Sequence, residues 1–145
     1  MTLMSSRFEE RVEALRAAFL PLATPEARYH YLIELGRALP PYDPLLKTPD
    51  RLVPGCQSTL YLASHFDNQN LYFTAFSDAL ISAGLAALLL QIYSGLPPEV
   101  ILRKPPTFLR DLPILTSLSP SRSNGLAHLH LRLKQEAIKT LPFVE

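Results

Sequence analysis

The chain has 145 residues, 14 Lys plus Arg against 13 Asp plus Glu, 48% hydrophobic and 19% charged residues; that suits one domain over residues 1–145 with a packed core and excludes wholesale disorder. A net charge of +1 provides no general field for a polyanion, and no local basic cluster stands out, so nucleic-acid binding is not expected. One cysteine excludes an internal disulfide framework and a multi-Cys zinc site, and it points to a reducing compartment, the cytoplasm.

Arg7, Glu9 and Glu10 interrupt the start of the chain before any apolar run develops, so no secretory signal is expected. The uncharged stretch from Ala79 to Pro98 is cut by Gly95 and Pro97-Pro98, which leaves too few residues to span a bilayer and predicts a core helix, not a membrane segment. Prolines divide the rest. Five lie between Pro40 and Pro54 and six between Pro97 and Pro120, while Gly55 to Leu96 has none, so the regular centre of the fold is expected there.

Phe8, Val12, Leu15 and Phe19 recur at helical spacing and predict a first amphipathic helix, capped at Ser5 or Ser6 and stopped by Pro21. Thr24-Pro25-Glu26 combines a capping hydroxyl, a proline suited to the first helical position and an early acid, and starts a second helix through Tyr31, Leu32, Leu35 and Leu39, ending at Pro40-Pro41. From Pro41 to Gly55 no apolar period exists, and a surface loop delivers the chain to Cys56. Alternation over Ser58–Phe66, the turn residues Asp67-Asn68-Gln69-Asn70 and the run Leu71–Phe76 predict a β-hairpin. Ser77 is then expected to cap a buried helix over Ala79–Tyr93, with Asp78 in its first turn and Gly95 at its end. Short helices follow at Pro97–Leu102 and Thr107–Leu112, and a last helix runs from about Gly125 to Leu141 with Leu126, Leu129, Leu133 and Ala137 on one face.

Chemistry centres on the thiol. Cys56 follows Gly55 where a proline-rich loop becomes a strand, a place where another backbone or a substrate can approach closely. A lone cysteine can also be a small buried hydrophobe. Arg51 is close enough in sequence to favour a thiolate if the fold brings its guanidinium to the sulfur. Of the four histidines, His128 and His130 sit two apart on a helix and so face different ways, while His30 and His65 have no spacing that ties them to the cysteine. In Ser121-Arg122-Ser123-Asn124-Gly125 every residue except Arg122 is a usual turn or cap residue. No phosphate-binding glycine loop, paired-Cys motif or zinc-protease motif is present.

Three separated segments resemble the SufE family of sulfur-acceptor proteins. Val53-Pro54-Gly55-Cys56-Gln57-Ser58 resembles its reactive Val-x-Gly-Cys-x-Ser segment, Ser77-Asp78-Ala79 through Gly84-Leu85 its Ser-Asp-Ala helix start, and Ser121-Arg122-Ser123-Asn124-Gly125 its Ser-Arg-x-x-Gly segment. Tyr31-Leu32-Ile33-Glu34-Leu35-Gly36 extends the similarity. Leu60-Tyr61 departs from the Val-Trp frequent in relatives, and Ala75-Phe76 from their Gly or acid. The expected fold class is α+β, a small antiparallel sheet packed by several helices in the SufE/IscU-like manner. The resemblance implies that Cys56 accepts persulfide sulfur from a SufS-like cysteine desulfurase and passes it toward a SufBCD-like cluster scaffold. It implies no resident cofactor and no independent desulfurase activity, since pyridoxal phosphate belongs to the partner; one Cys and dispersed His residues lead us to expect no metal site. Leu60, Tyr61 and Phe73 are the expected apolar walls of the thiol. Arg51, Gly55, Asp78 and Arg122 are expected to orient the loop or touch the partner; helix capping is the alternative for Asp78 and Arg122, and for Asp78 it weighs equally. Three other readings stay open, a module that stimulates a desulfurase without carrying sulfur, sulfur relay to a non-cluster acceptor, and a cysteine hydrolase, although the last has no nameable base or oxyanion hole.

Overall fold

The computed structural model describes residues 2–55, 58–113 and 118–141. Helix α1 covers Thr2–Phe19 and α2 covers Pro25–Arg37; after two short 3-10 turns, Pro44–Leu46 and Pro49–Arg51, strands β1 (Leu60–Asp67) and β2 (Asn70–Ser77) form the sheet. Helix α3 spans Leu80–Tyr93, α4 spans Pro98–Arg103, a 3-10 segment covers Thr107–Asp111, and the last helix, numbered α5, spans Pro120–Thr140. The expected α+β class, with a small antiparallel sheet and several helices around it, is the fold observed.

Local chemistry explains most boundaries. Thr24 has extended geometry and its side chain accepts from Ala27 N at 3.1 Å, with Pro25 in the first turn of α2, as the Thr-Pro-Glu sequence predicts. Strands β1 and β2 pair antiparallel from Leu60↔Ser77 to Asp67↔Asn70. Asn68 and Gln69 both have positive φ, 49° and 67°, the conformation a two-residue hairpin turn needs to match strand twist.

Three boundaries differ from expectation. Helix α1 starts at Thr2, upstream of Ser5 and Ser6, because serine is tolerated inside a helix and no breaker precedes it. Helix α3 starts at Leu80 with Ala79 as its N-cap residue. Asp78 therefore lies in the turn before the helix, where Ser77 Oγ accepts from Ala79 N at 3.2 Å and competes with helical geometry. Helix α5 starts at Pro120, with Ser119 as N-cap accepting from Arg122 N at 3.4 Å. A serine cap followed by proline outweighs the turn character of the Ser-Arg-Ser-Asn-Gly run, which becomes the first turns of the helix.

The core gathers around α3, whose Leu85, Ala86, Leu88, Leu89, Ile92 and Tyr93 are buried. Phe8, Val12, Leu15 and Phe19 of α1 and Leu126, Leu129, Leu133 and Ala137 of α5 meet it, each set forming the single apolar face read from its spacing. Helices α2 and α3 cross unusually closely. A Cβ at Gly84 would stand 2.2 Å from Leu32 O, and one at Gly36 would stand 2.8 Å from Gly84 N. Arg11 of α1 donates to Ile92 O at 2.9 Å and Ser94 O at 2.8 Å, satisfying carbonyls that the end of α3 leaves without helical partners. Among the described helices none is long and apolar enough to cross a membrane.

His130 introduces a pH dependence into this core. Its ring centroid lies 5.7 Å from that of Tyr93, and its Nε2 is buried without a hydrogen-bond partner among the described residues. Burial first, and the Lys134 charge second, push its pKa down to about 4. The unfolded chain binds the proton near the ordinary value of about 6.5, so between roughly pH 6.5 and 4 unfolding takes up a proton and stability falls as the pH falls. The contribution at stake is about 2 kcal/mol once partial exposure is allowed for. Urea melts of wild type and His130→Leu at pH 7 and pH 4.5 check this: the variant is expected to lose less stability between the two. Equal losses would show that other groups carry the acid sensitivity.

Candidate functional site

The segment that carries Cys56 is held at both flanks. Upstream, Leu52 pairs with Tyr61 in an antiparallel bridge and Val53 N donates to Leu60 O at 2.8 Å, which ties the chain before the cysteine to the start of β1. Cys56 belongs to that stretch of sequence but, with Gln57, lies outside the described residues. Its neighbour Gly55 has φ +82°, and a Cβ there would stand 2.3 Å from His128 Cδ2 and 2.5 Å from His128 Nε2. Only glycine fits, because the left-handed conformation disfavours a side chain and the imidazole occupies its space.

Downstream, Ser58 shares a hydrogen bond of 2.6 Å with Ser82 of α3. Both line a cavity of about 580 Å³ between the start of β1, the N-terminal part of α3 and the N-terminal part of α5. Leu60, Leu85, Leu126 and Leu129 form its apolar wall, and Ser121 and Arg122 its polar rim. The first turns of two helices thus open onto one space beside a guanidinium. Helix N-termini carry partial positive charge, so the rim favours an anionic group such as a thiolate, while the leucines exclude water behind it.

The expected site residues are distributed unevenly. Gly55 and Arg122 stand at this place, Gly55 on the loop and Arg122 on the rim. Arg51 is absent from the cavity lining; its Nη1 donates to Thr48 Oγ1 at 2.9 Å, and its charge acts on Tyr42, whose phenol burial pushes up and Arg51 pulls partly back. Asp78 is exposed and absent from the cavity lining, although the next residue, Ala79, lines it. Of the three expected walls only Leu60 lines the cavity. Tyr61 stacks on Tyr42 with centroids 6.2 Å apart, as strand alternation requires of the residue beside an inward Leu60; Phe73 is in the general core. His30 and His65 are exposed on α2 and β1. Reading the sequence missed His128. The available signal was the polar stripe His128, Arg132 and Glu136 at every fourth position, flanking the apolar face of the helix. Among the described residues no group of three His, Cys, Asp or Glu is placed to hold a metal ion.

Comparison with known proteins supplies the frame. Residues 13–137 match the model of the SufE family, described as an Fe-S metabolism associated domain. The chain is 36% identical over 129 residues to SufE-like protein 1, chloroplastic/mitochondrial, of Arabidopsis thaliana; the match takes in 88% of this chain and 35% of that protein, so this chain spans about a third of the relative's length. It is 38% identical over 117 residues to an uncharacterized SufE-like protein of Rhizobium etli, with 77% of this chain and 79% of the relative covered. The solution structure of a hypothetical protein from Thermus thermophilus superposes with a TM-score of 0.74 at 24% identity, over 89% of this chain and 94% of that one; the fold is therefore shared. A family match extending from within α1 to nearly the end of α5, together with relatives at 36% and 38% identity over most of the chain, shows that this chain belongs to the SufE family, an Fe-S metabolism associated domain.

Proposed function

We propose that this protein accepts persulfide sulfur from a SufS-like cysteine desulfurase on Cys56 and passes it toward iron–sulfur cluster assembly on a SufBCD-like scaffold, in the cytoplasm. The observation that carries this reading is the pairing of an anchored loop with a cavity: Gly55 is pressed against His128 before the cysteine, and Ser58 stands on the cavity wall after it. A carrier thiol needs both. It must be reachable by another protein's cysteine, yet its persulfide must be kept from stray thiols and oxidants.

The step is thiol–persulfide exchange. The Cys56 thiolate attacks the terminal sulfur of the donor persulfide; a sulfur–sulfur bond forms on Cys56 as the donor's breaks, and the donor cysteine leaves as a thiolate. No net oxidation or reduction occurs. Two helix N-termini and Arg122 support the anionic sulfur at the start and end of the exchange. Extraction of sulfur from free cysteine needs the pyridoxal phosphate of the partner.

Intact-mass measurement after incubation with a desulfurase and cysteine tests the proposal. The expected result is the gain of one sulfur atom, removed by a thiol reductant. Stimulation of the desulfurase with no gain of sulfur would replace the carrier by a stimulating module.

A further inference from the structure

A polar stripe along the edge of the apolar face of α5 meets the loop before Cys56 at three points. Arg132 donates from Nη1 to Leu52 O at 3.0 Å and from Nη2 to Asp50 O, and His128, one turn earlier, lies against Gly55. One turn later Glu136 holds the guanidinium in place, 3.4 Å from Arg132 Nε, and is itself held by Ser64 Oγ at 2.7 Å and Lys139 Nζ at 2.9 Å. Burial raises the Glu136 pKa, but hydrogen bonds from Ser64 and Lys139 outweigh it and bring the pKa below the ordinary value; the anchor is charged at neutral pH. The side chains of Arg132 and Glu136 are each 15% exposed, which makes this pair far less screened than a surface ion pair. A planar guanidinium donating to two carbonyls two residues apart fixes direction as well as distance.

We propose that His128, Arg132 and Glu136 form a clasp on α5 that holds the loop leading into Cys56, at Asp50, Leu52 and Gly55, in the arrangement sulfur transfer uses. The clasp rests on the carrier reading and adds to it a set of positioning residues. Arg132 fixes the loop before the bridge at Leu52, His128 fixes it at the residue bonded to Cys56, and the Ser58–Ser82 hydrogen bond fixes it beyond. Presentation of a nucleophile within a fraction of an ångström of its attack geometry is worth orders of magnitude in rate, and a loop with no helix behind it would lose that advantage.

The intact protein has a single cysteine, so any thiol label reports on Cys56. Arg132→Ala and His128→Ala are compared with wild type for Tm, for the rate of alkylation by iodoacetamide, and for the rate of sulfur uptake as a function of desulfurase concentration. The expected result is a maximal uptake rate lower by about tenfold, alkylation faster by about threefold as the loop opens, and a half-saturating desulfurase concentration within about twofold of wild type. Arg132→Lys, which keeps a cation able to donate to a carbonyl, is expected to recover part of the uptake rate. His128 is exposed and outside the core, so its variant stays informative even where Arg132→Ala lowers Tm. Wild-type uptake and alkylation in both alanine variants would overturn the clasp. A change confined to the half-saturating concentration would also overturn it, making the stripe a docking contact. If wild type takes up no sulfur while the variants still alkylate faster, the clasp stands and the carrier reading falls.

Discussion

Cys56→Ser is expected to abolish sulfur uptake while leaving desulfurase affinity within about twofold, because serine keeps the size of the residue and the loop geometry but cannot hold a transferable persulfide. The loss should be complete to the background of the assay, since no second cysteine exists to take over. The opposite reading makes a different set of numbers. Were the thiol only a packed hydrophobe, the hydroxyl would be buried without a partner, stability would drop by about 1–3 kcal/mol, and sulfur chemistry would be untouched. Measuring Tm, affinity and sulfur content on one preparation separates the two. A serine variant that still gains sulfur would end the carrier hypothesis.

Gly84→Ala is expected to be the most damaging small substitution in the core. Alanine favours a helix over glycine by about 1 kcal/mol, yet here the new methyl would stand 2.2 Å from Leu32 O, about 1 Å inside ordinary contact. The obstacle is backbone on a facing helix, not the tip of a flexible side chain, so relief requires α2 to move off α3. Overpacking of this kind costs about 3 kcal/mol, net of the helical gain roughly 2, which corresponds to a Tm lower by about 7 °C for a chain of this size. Gly36→Ala, with its nearest contact at 2.8 Å, should fall between that variant and wild type. A Gly84→Ala protein melting within about 2 °C of wild type would show that the crossing is looser than these distances imply.

Much of the fold was legible in local sequence because its elements are defined by signals that need no partner. Thr24-Pro25 begins α2 and Asn68-Gln69 turns the hairpin, since cap and turn energies are set within a few residues. Apolar spacing alone identified the faces of α1 and α5 that reach the core. The resemblance to the SufE family was legible too, in the residues around Cys56, Asp78 and Arg122. Where local rules competed, the result was less predictable. Ser119-Pro120 and the following Ser-Arg-Ser-Asn-Gly run both carry boundary signals, and the stronger helix start lengthened α5.

What the sequence by itself determined is therefore the element order, the apolar faces, the glycine at residue 55 and the family. Tertiary structure alone decided which polar side chains surround the loop. Arg51, five residues before the cysteine, turns to Thr48, while His128 and Arg132, more than seventy residues after it, take hold of Gly55, Leu52 and Asp50. Sequence distance carries no information about such encounters, because they follow from where α5 is docked by its adjoining apolar face. Leu126, Leu129 and Leu133 pack inward, and the helical repeat then sets His128, Arg132 and Glu136 along the edge of that face, beside the loop that leads to Cys56.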